Sequence, residues 1–264
     1  MKNKISITLS DSIIKRVDSL VDRIFIRNRS QAVEVILRRG LERDKKAVVL
    51  LGGDEKRLRI GKEWLPEIKI KGVYFIEKML IKLRESNFRT VFIVARKFIL
   101  DKIFSIIKNG ENYGVKIVYV EDNDSGGSAD SLRLLRRKIT DSFLVVFGDI
   151  IMDKLNLLHI WEKHLRGNFL CTLMLSTFKD PSKKGVVELE GNKIIKFIQK
   201  PKKSENYLVF SPVFVCEPEL LNYSGKSLEE DVFPILSEKG LLGGFVSSSS
   251  EIHIHTKKDL LKVK

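Results

Sequence analysis

Residues Ala47-Val-Val-Leu-Leu51 form an unbroken apolar run that ends in Gly52-Gly53. A strand buried on both faces and stopped by two glycines predicts the opening unit of an α/β domain. Its turn can approach phosphate closely, because no Cβ intervenes. The chain then continues with Asp54-Glu55-Lys56-Arg57-Leu58. A carboxylate at 54 or 55 repels phosphate instead of cradling it. The run therefore constrains the fold more firmly than the chemistry.

Downstream, apolar runs alternate with helical patterns. Thr90–Val94, Val115–Val120 and Phe143–Phe147 read as further buried strands, and Val73–Arg84, Leu100–Lys108, Ala129–Lys138 and Leu155–His164 as helices. That alternation predicts a mostly parallel sheet with helices on both faces. After Phe169 the strand candidates Leu170–Ser176, Gly185–Leu189, Ile194–Gln199 and Val209–Cys216 are joined by turns, which predicts an antiparallel extension over the sheet. The expected domain spans residues 47–264. Cys171 and Cys216 lie in apolar surroundings without metal-ligand spacing and are expected to be buried structural thiols of a cytoplasmic protein. No apolar run is long enough to span a membrane, and the N-terminus has no signal-peptide pattern.

Residues 1–46 form a separate, basic module, with 12 Lys/Arg against 6 Asp/Glu; the rest of the chain carries 36 against 28. Concentrated positive charge favours a polyanionic partner. Residues 4–9 alternate, with Ile5, Ile7 and Leu9 on one side and Lys4, Ser6 and Thr8 on the other. A helix capped by Ser10 or Asp11 is predicted to run to about Ile24, and a second to follow the turn Arg27-Asn28-Arg29-Ser30, interrupted near its end by Gly40. A strand with two unpaired edges and two short helices cannot bury a core alone, so the chain is expected to be a homodimer or higher oligomer.

Residues 2–44 resemble the ribbon-helix-helix family of DNA-binding proteins, through Lys-x-Ser-x-Thr-Leu-Ser, a helix, Asn-Arg-Ser-x-Ala and a second helix. The resemblance implies a paired ribbon in the major groove of double-stranded DNA at a palindromic site, with Lys4, Ser6 and Thr8 on base edges. It also implies a phosphate clamp from the helix start at Arg29, Ser30 and Gln31.

Residues 47–261 resemble the sugar-1-phosphate nucleotidyltransferases. The likeness lies in Asn112–Val120, Gly127-Ser-Ala-Asp-Ser-Leu132, Phe147-Gly-Asp149, Asp180–Val187, Gln199-Lys-Pro201 and Ser227–Pro234. It implies a GT-A/Rossmann-like mixed sheet and a nucleotide or sugar-nucleotide ligand lined by Gly52, Gly53, Arg57, Gly127, Ser128 and Asp149. Mg²⁺ arriving with the nucleotide would be held by Asp149.

Against that family pattern, the loop should continue Gly-Thr-Arg and keeps only Arg57; a phosphate-binding lysine is replaced by Leu65; and a metal-holding aspartate aligns with His253. His253 and His255, at i and i+2 on a strand, share one side and could bind Zn²⁺ or Ni²⁺, but the spacing offers no third ligand. The expected function is a DNA-binding transcriptional regulator whose nucleotidyltransferase-like domain is catalytically inactive, has no catalytic residues, and serves ligand sensing or assembly. The alternative is an active sugar-1-phosphate nucleotidyltransferase that also binds DNA.

Overall fold

The computed structural model describes residues 6–22, 26–41, 45–52, 55–249, 251–261 and 263. The chain divides into two compact units, Met1–Asp44 and Lys45–Lys264.

In the first unit, helix α1 spans Asp11–Asp18 and α2 spans Arg29–Leu41. The start of α2 is closed from within. Gln31 donates its amide to Asn28 Oδ1 (2.9 Å), and its side-chain Oε1 accepts the Arg27 amide (2.8 Å). The Arg29 guanidinium forms a two-pronged pair with Asp18 (2.7 and 2.8 Å). These contacts engage Arg29 and Gln31 in the turn between the helices. Residues 6–10, with Ser6 and Thr8 exposed, form no strand among the described residues, and Lys4 lies outside them. α1 stops at Asp18, short of Ile24, while α2 runs through Gly40 without a break.

The second unit opens with strand β1 (Lys45–Leu51). Two small hairpins follow, β2 (Arg59–Ile60) with β3 (Glu63–Trp64) and β4 (Lys69–Ile70) with β5 (Val73–Tyr74). Next come α3 (Phe75–Glu85), β6 (Phe88–Ala95), α4 (Lys97–Ile107), β7 (Lys116–Glu121), α5 (Ser128–Arg133), β8 (Phe143–Phe147), β9 (Ile150–Ile151) and α6 (Leu157–Arg166). Strands β10 (Cys171–Thr177), β11 (Gly185–Glu190), β12 (Lys193–Gln199) and β13 (Leu208–Cys216) precede α7 (Phe233–Glu238), β14 (Leu242–Val246), β15 (Ile252–His253) and α8 (Lys257–Leu261).

Nine strands form the main sheet, in the order β10-β14-β12-β11-β13-β8-β1-β6-β7. Strands β8, β1, β6 and β7 are parallel, and β13 joins them antiparallel along β8. The later strands therefore continue the same sheet edge to edge; they do not cover it as a second layer. β14 supplies a strand that the apolar pattern did not reveal, because Gly243 and Gly244 dilute it.

Period-two alternation divides β1 between two cores. Ala47, Val49 and Leu51 pack with Met79, Leu80, Ile99, Ile103, Ile160 and Trp161 on one face. Val48 and Leu50 pack with Leu132, Phe233 and Leu236 on the other. Cys171 and Cys216 sit opposite each other in the β10–β13 ladder, both buried, and burial pushes both thiols well up from their usual range. Among the described residues no helix is long and apolar enough to cross a membrane.

Candidate functional site

The chain runs outward from β1 to β6 to β7 on one side, then returns to place β8 on the other side of β1. The order thus reverses between β1 and β8, and a crevice opens beyond the carboxyl ends of strands at such a point. In register, Leu50 lies beside Phe147, and the Gly148 amide donates to the Leu50 carbonyl at 2.9 Å. Gly52 and Asp149 are thereby brought to the same rim by main-chain pairing alone.

The β1 side of the rim carries Gly52, with Gly53 outside the described residues. A Cβ at Gly52 would lie 2.3 Å from both Asp122 Oδ2 and Ser131 Oγ. Those two atoms form a 2.5 Å hydrogen bond with serine as donor, and Asp122 Oδ1 also accepts the Ser125 amide. Burial works against the Asp122 carboxylate, but these donors outweigh it and hold its pKa below the ordinary value. Asp122 was missed in the sequence because Glu121-Asp-Asn-Asp124 reads as a polar turn; only its place directly after β7 hinted at burial. Arg57 is exposed in a short 3₁₀ turn, Glu55–Leu58. Leu65 is fully buried in the core under the hairpins, so its position in this chain is a packing position and not a phosphate contact.

Gly127 and Ser128 lie beyond β7. A Cβ on Gly127 would meet the Lys226 carbonyl at 2.6 Å. Ser128 Oγ donates to Glu229 Oε2 (2.9 Å) and accepts the Leu228 amide (2.9 Å). The Gly127-Ser128 loop is thus fastened to residues 226–229.

Asp149 follows β8. The short β9–β15 ladder pairs His253 with Ile150, and the Ile254 amide donates to the Asp149 carbonyl at 2.9 Å. The Asp149 carboxylate consequently faces both histidines: its Oδ2 lies 3.9 Å from His253 Nδ1 and 3.8 Å from His255 Nδ1. Asp149 thus adds to the two imidazoles a third candidate group that spacing did not offer. Burial disfavours charge on Asp149, yet His253 and His255 draw its pKa down. Burial likewise disfavours an imidazolium at His253, and Asp149 and Glu251 overcome it to raise the His253 pKa.

Behind His253 stands Glu251, whose side chain is fully buried. It receives Lys184 Nζ at 2.6 Å and the Ser211 hydroxyl, and lies 3.1 Å from His253 Nε2. Burial opposes its charge, but His253, Lys184 and Ser211 hold its pKa at about 2. The alternation Glu251-Ile-His-Ile-His255 carried this signal, since residues two apart share a face. Lys184 and Ser211 come from distant strands and left none. One carboxylate and two imidazoles do not fit Mg²⁺, which demands an octahedron of oxygens, so no chemical step is assigned to that ion.

Comparisons with known proteins agree on the second unit. A family model described as nucleotidyl transferase matches residues 46–234. A Sulfolobus acidocaldarius protein named for mannose-1-phosphate guanyltransferase is 30% identical over 195 residues, 72% of this chain and 54% of its own length. A Danio rerio protein named mannose-1-phosphate guanylyltransferase catalytic subunit beta is 26% identical over 232 residues, 82% of this chain and 62% of its own. The chain therefore spans less than two thirds of the length of these relatives. A solved Bacillus anthracis structure, titled for a glucose-1-phosphate thymidylyltransferase, superposes with a TM-score of 0.73 at 20% identity, covering 83% of this chain and 93% of that one.

These matches overturn the expectation of a DNA-binding transcriptional regulator with an inactive domain. The relatives are named for sugar-phosphate nucleotidyl transfer, and no match supports a DNA-binding module.

Proposed function

This chain belongs to the nucleotidyl transferase family, and from that premise we propose that it transfers a nucleotidyl group from a nucleoside triphosphate to a sugar 1-phosphate. The observation that carries the reading is the crevice at the β1–β8 reversal, where main-chain register brings Gly52 and Asp149 to one rim inside the matched segment. In the reaction a phosphate oxygen of the sugar 1-phosphate attacks the α-phosphorus. The new P–O bond forms as the α–β bridge breaks, and pyrophosphate leaves with the electron pair. Little covalent chemistry falls to the protein, so positioning and charge decide the rate. The bare backbone at Gly52 admits the triphosphate close to β1, and exposed Arg57 supplies positive charge beside it. The Gly127-Ser128 loop, tied to residues 226–229, walls the opposite side for the nucleoside.

A pyrophosphate-release assay over the common triphosphates and hexose 1-phosphates tests the reading. GTP with mannose 1-phosphate heads the series, because the relatives named above use those words. Release is expected to fall by about 10²-fold or more in Arg57→Ala and in Asp149→Ala. Release that both variants leave unchanged, or no release with any pair, overturns it.

We also infer that the first unit pairs with a second copy of the chain. Among its described residues only Val17 and Ala32 are buried apolar side chains, while Ile7, Ile13, Leu20, Ile36 and Leu37 are exposed. So little burial does not hold a unit of this size by itself. Light scattering of the full chain should show a dimer or larger, and Ile13→Asp should shift it towards monomer; a monomeric parent chain refutes the pairing.

A further inference from the structure

We propose that Asp149, His253 and His255 form a resident site for a borderline first-row divalent ion of the Zn²⁺ and Co²⁺ class, in preference to Mg²⁺. The inference concerns the same rim as the transfer reading but does not depend on turnover, since the ion can be bound and measured without nucleotide.

Three independent features point there. The first is convergence: one potential ligand atom from each residue lies within 4.8 Å of the others. Metal–ligand bonds of about 2.0–2.1 Å in a tetrahedral set put ligand atoms about 3.4 Å apart. The measured 3.8 and 3.9 Å from Asp149 Oδ2 to the two Nδ1 atoms therefore close by small side-chain rotations. The backbone needs no movement, because the β9–β15 pairing and the Ile254–Asp149 hydrogen bond already fix it.

The second feature is a pair of orphaned atoms. Asp149 Oδ1 and His253 Nδ1 are both buried and have no hydrogen-bond partner. Buried polar atoms are normally satisfied, and an acceptor oxygen beside an unpartnered ring nitrogen asks for a cation.

The third is the support behind the ring. His253 Nε2 lies 3.1 Å from Glu251 Oε1, and Lys184 shares that corner at 2.6 Å from Glu251 Oε1 and 3.0 Å from Nε2. If Nε2 accepted from Lys184, the proton on Nδ1 would face Asp149 across 3.9 Å, beyond hydrogen-bond reach. If Nε2–H donates to Glu251, the Nδ1 lone pair is aimed at Asp149 and at the ion between them. A buried carboxylate that orients a ligating imidazole is the recurrent outer support of such sites.

Donor chemistry selects the ion. Imidazole suits Zn²⁺, Co²⁺ and Ni²⁺, whereas Mg²⁺ requires oxygens and would find one carboxylate here. Three protein ligands with a position left open also match a site that can receive a water or a phosphate oxygen. The chain has four histidines. His164 has both ring nitrogens engaged, by Thr172 at 2.8 Å and Glu217 at 3.0 Å, and both cysteines are buried. His159, exposed against Phe245, is the remaining competitor.

The test is titration of the metal-free full chain with Co²⁺, read by its visible d–d absorption, and with Zn²⁺ and Mg²⁺ by calorimetry. One equivalent of Co²⁺ and of Zn²⁺ should bind, with Mg²⁺ at least 100-fold weaker. His253→Ala and His255→Ala should each abolish the Co²⁺ band, while His159→Ala leaves it intact. Glu251→Gln should retain one equivalent with about 10- to 100-fold lower affinity. Near-ultraviolet circular dichroism confirms that each variant keeps its fold. A band that survives the His253→Ala, His255→Ala double variant, no band in the parent chain, or Mg²⁺ binding as tightly as Zn²⁺ overturns the proposal. None of these outcomes bears on pyrophosphate release, so the metal site and the transfer reading fail or stand separately.

Discussion

The two halves of the main sheet build the same crevice by different means. In the parallel half, β8-β1-β6-β7, every contribution sits where a strand ends: Gly52 after β1, Asp122 after β7 and Asp149 after β8. In the antiparallel half, and in the β9–β15 ladder outside the main sheet, the contributions come from scattered places. Lys184 precedes β11, Ser211 lies within β13, and Glu251 precedes β15. The parallel half positions backbone and small groups by register, as its crossover topology demands. The antiparallel half and that ladder together deliver a buried charge cluster that must be assembled from three segments. The first is robust because hydrogen-bonded ladders hold it; the second depends on each charge keeping its partner.

The largest effect should therefore fall on the second half. Lys184→Met removes the ammonium that lies 2.6 Å from the fully buried Glu251 carboxylate. Breaking a buried pair from one side typically costs about 3–5 kcal/mol, and the Ser211 and His253 contacts that remain place this case near 3. Pairing it with Glu251→Gln should recover much of the loss, a coupling that chemical denaturation can measure. A cost below about 1 kcal/mol would mean that the corner is wet, and the contrast between the halves would collapse.

Gly52→Ala probes the parallel half. The added methyl would stand 2.3 Å from Asp122 Oδ2 and from Ser131 Oγ, and 2.9 Å from Ser131 Cβ. The Asp122–Ser131 hydrogen bond must then open or β1 must shift. Overpacking of this kind costs about 1–3 kcal/mol. Because the register of β1 against β6 and β8 resists the shift, binding of triphosphate should weaken along with stability. Calorimetric unfolding and a nucleotide titration read the two separately; unchanged values in both would show that Gly52 is not tightly held.

The same contrast explains what the sequence disclosed. Continuous apolar runs such as Phe143–Phe147 reveal a strand buried on both faces, and a glycine after β1 and after β8 marks the rim. The parallel half and the positions of Gly52 and Asp149 were legible for that reason, whereas Asp122, in a polar turn after β7, was not. The hairpins at residues 59–74 and the strand β14 were not, since two-residue strands and paired glycines carry no period. Lys184 was legible only as a basic residue in Lys183-Lys184, and Glu251 only as the start of an alternating segment. Their partnership depends on two segments 67 residues apart, which no local pattern encodes. The helix start at Arg29, Ser30 and Gln31 shows how residue type underdetermines role: the types expected at a phosphate clamp also serve the turn, where Gln31 caps the helix through Asn28 and Arg29 pairs with Asp18.

The smallest effect tests a serine that joins the halves. Ser128, at the start of α5 behind the parallel strands, donates to Glu229 Oε2 and accepts the Leu228 amide, both at 2.9 Å. Ser128→Ala leaves that amide without its partner and removes a donor to a half-buried carboxylate, a loss of about 1 kcal/mol at neutral pH. Burial already raises the Glu229 pKa above its usual 4.5, and Ser128 works against that rise by favouring the charged form. A group with a raised folded pKa contributes stability below its unfolded pKa and loses it as pH climbs through the folded value. Removing the serine pushes the folded pKa higher still. The mutant should consequently trail the parent most at neutral pH, and the gap should narrow as pH falls through the raised folded pKa values of the two proteins, closing towards the usual 4.5. Thermal unfolding of the two proteins between pH 4 and pH 7.5 measures the gap directly. A gap that stays constant across this range would show that Ser128 serves the Leu228 amide alone, and that the halves are joined through the backbone and not through Glu229.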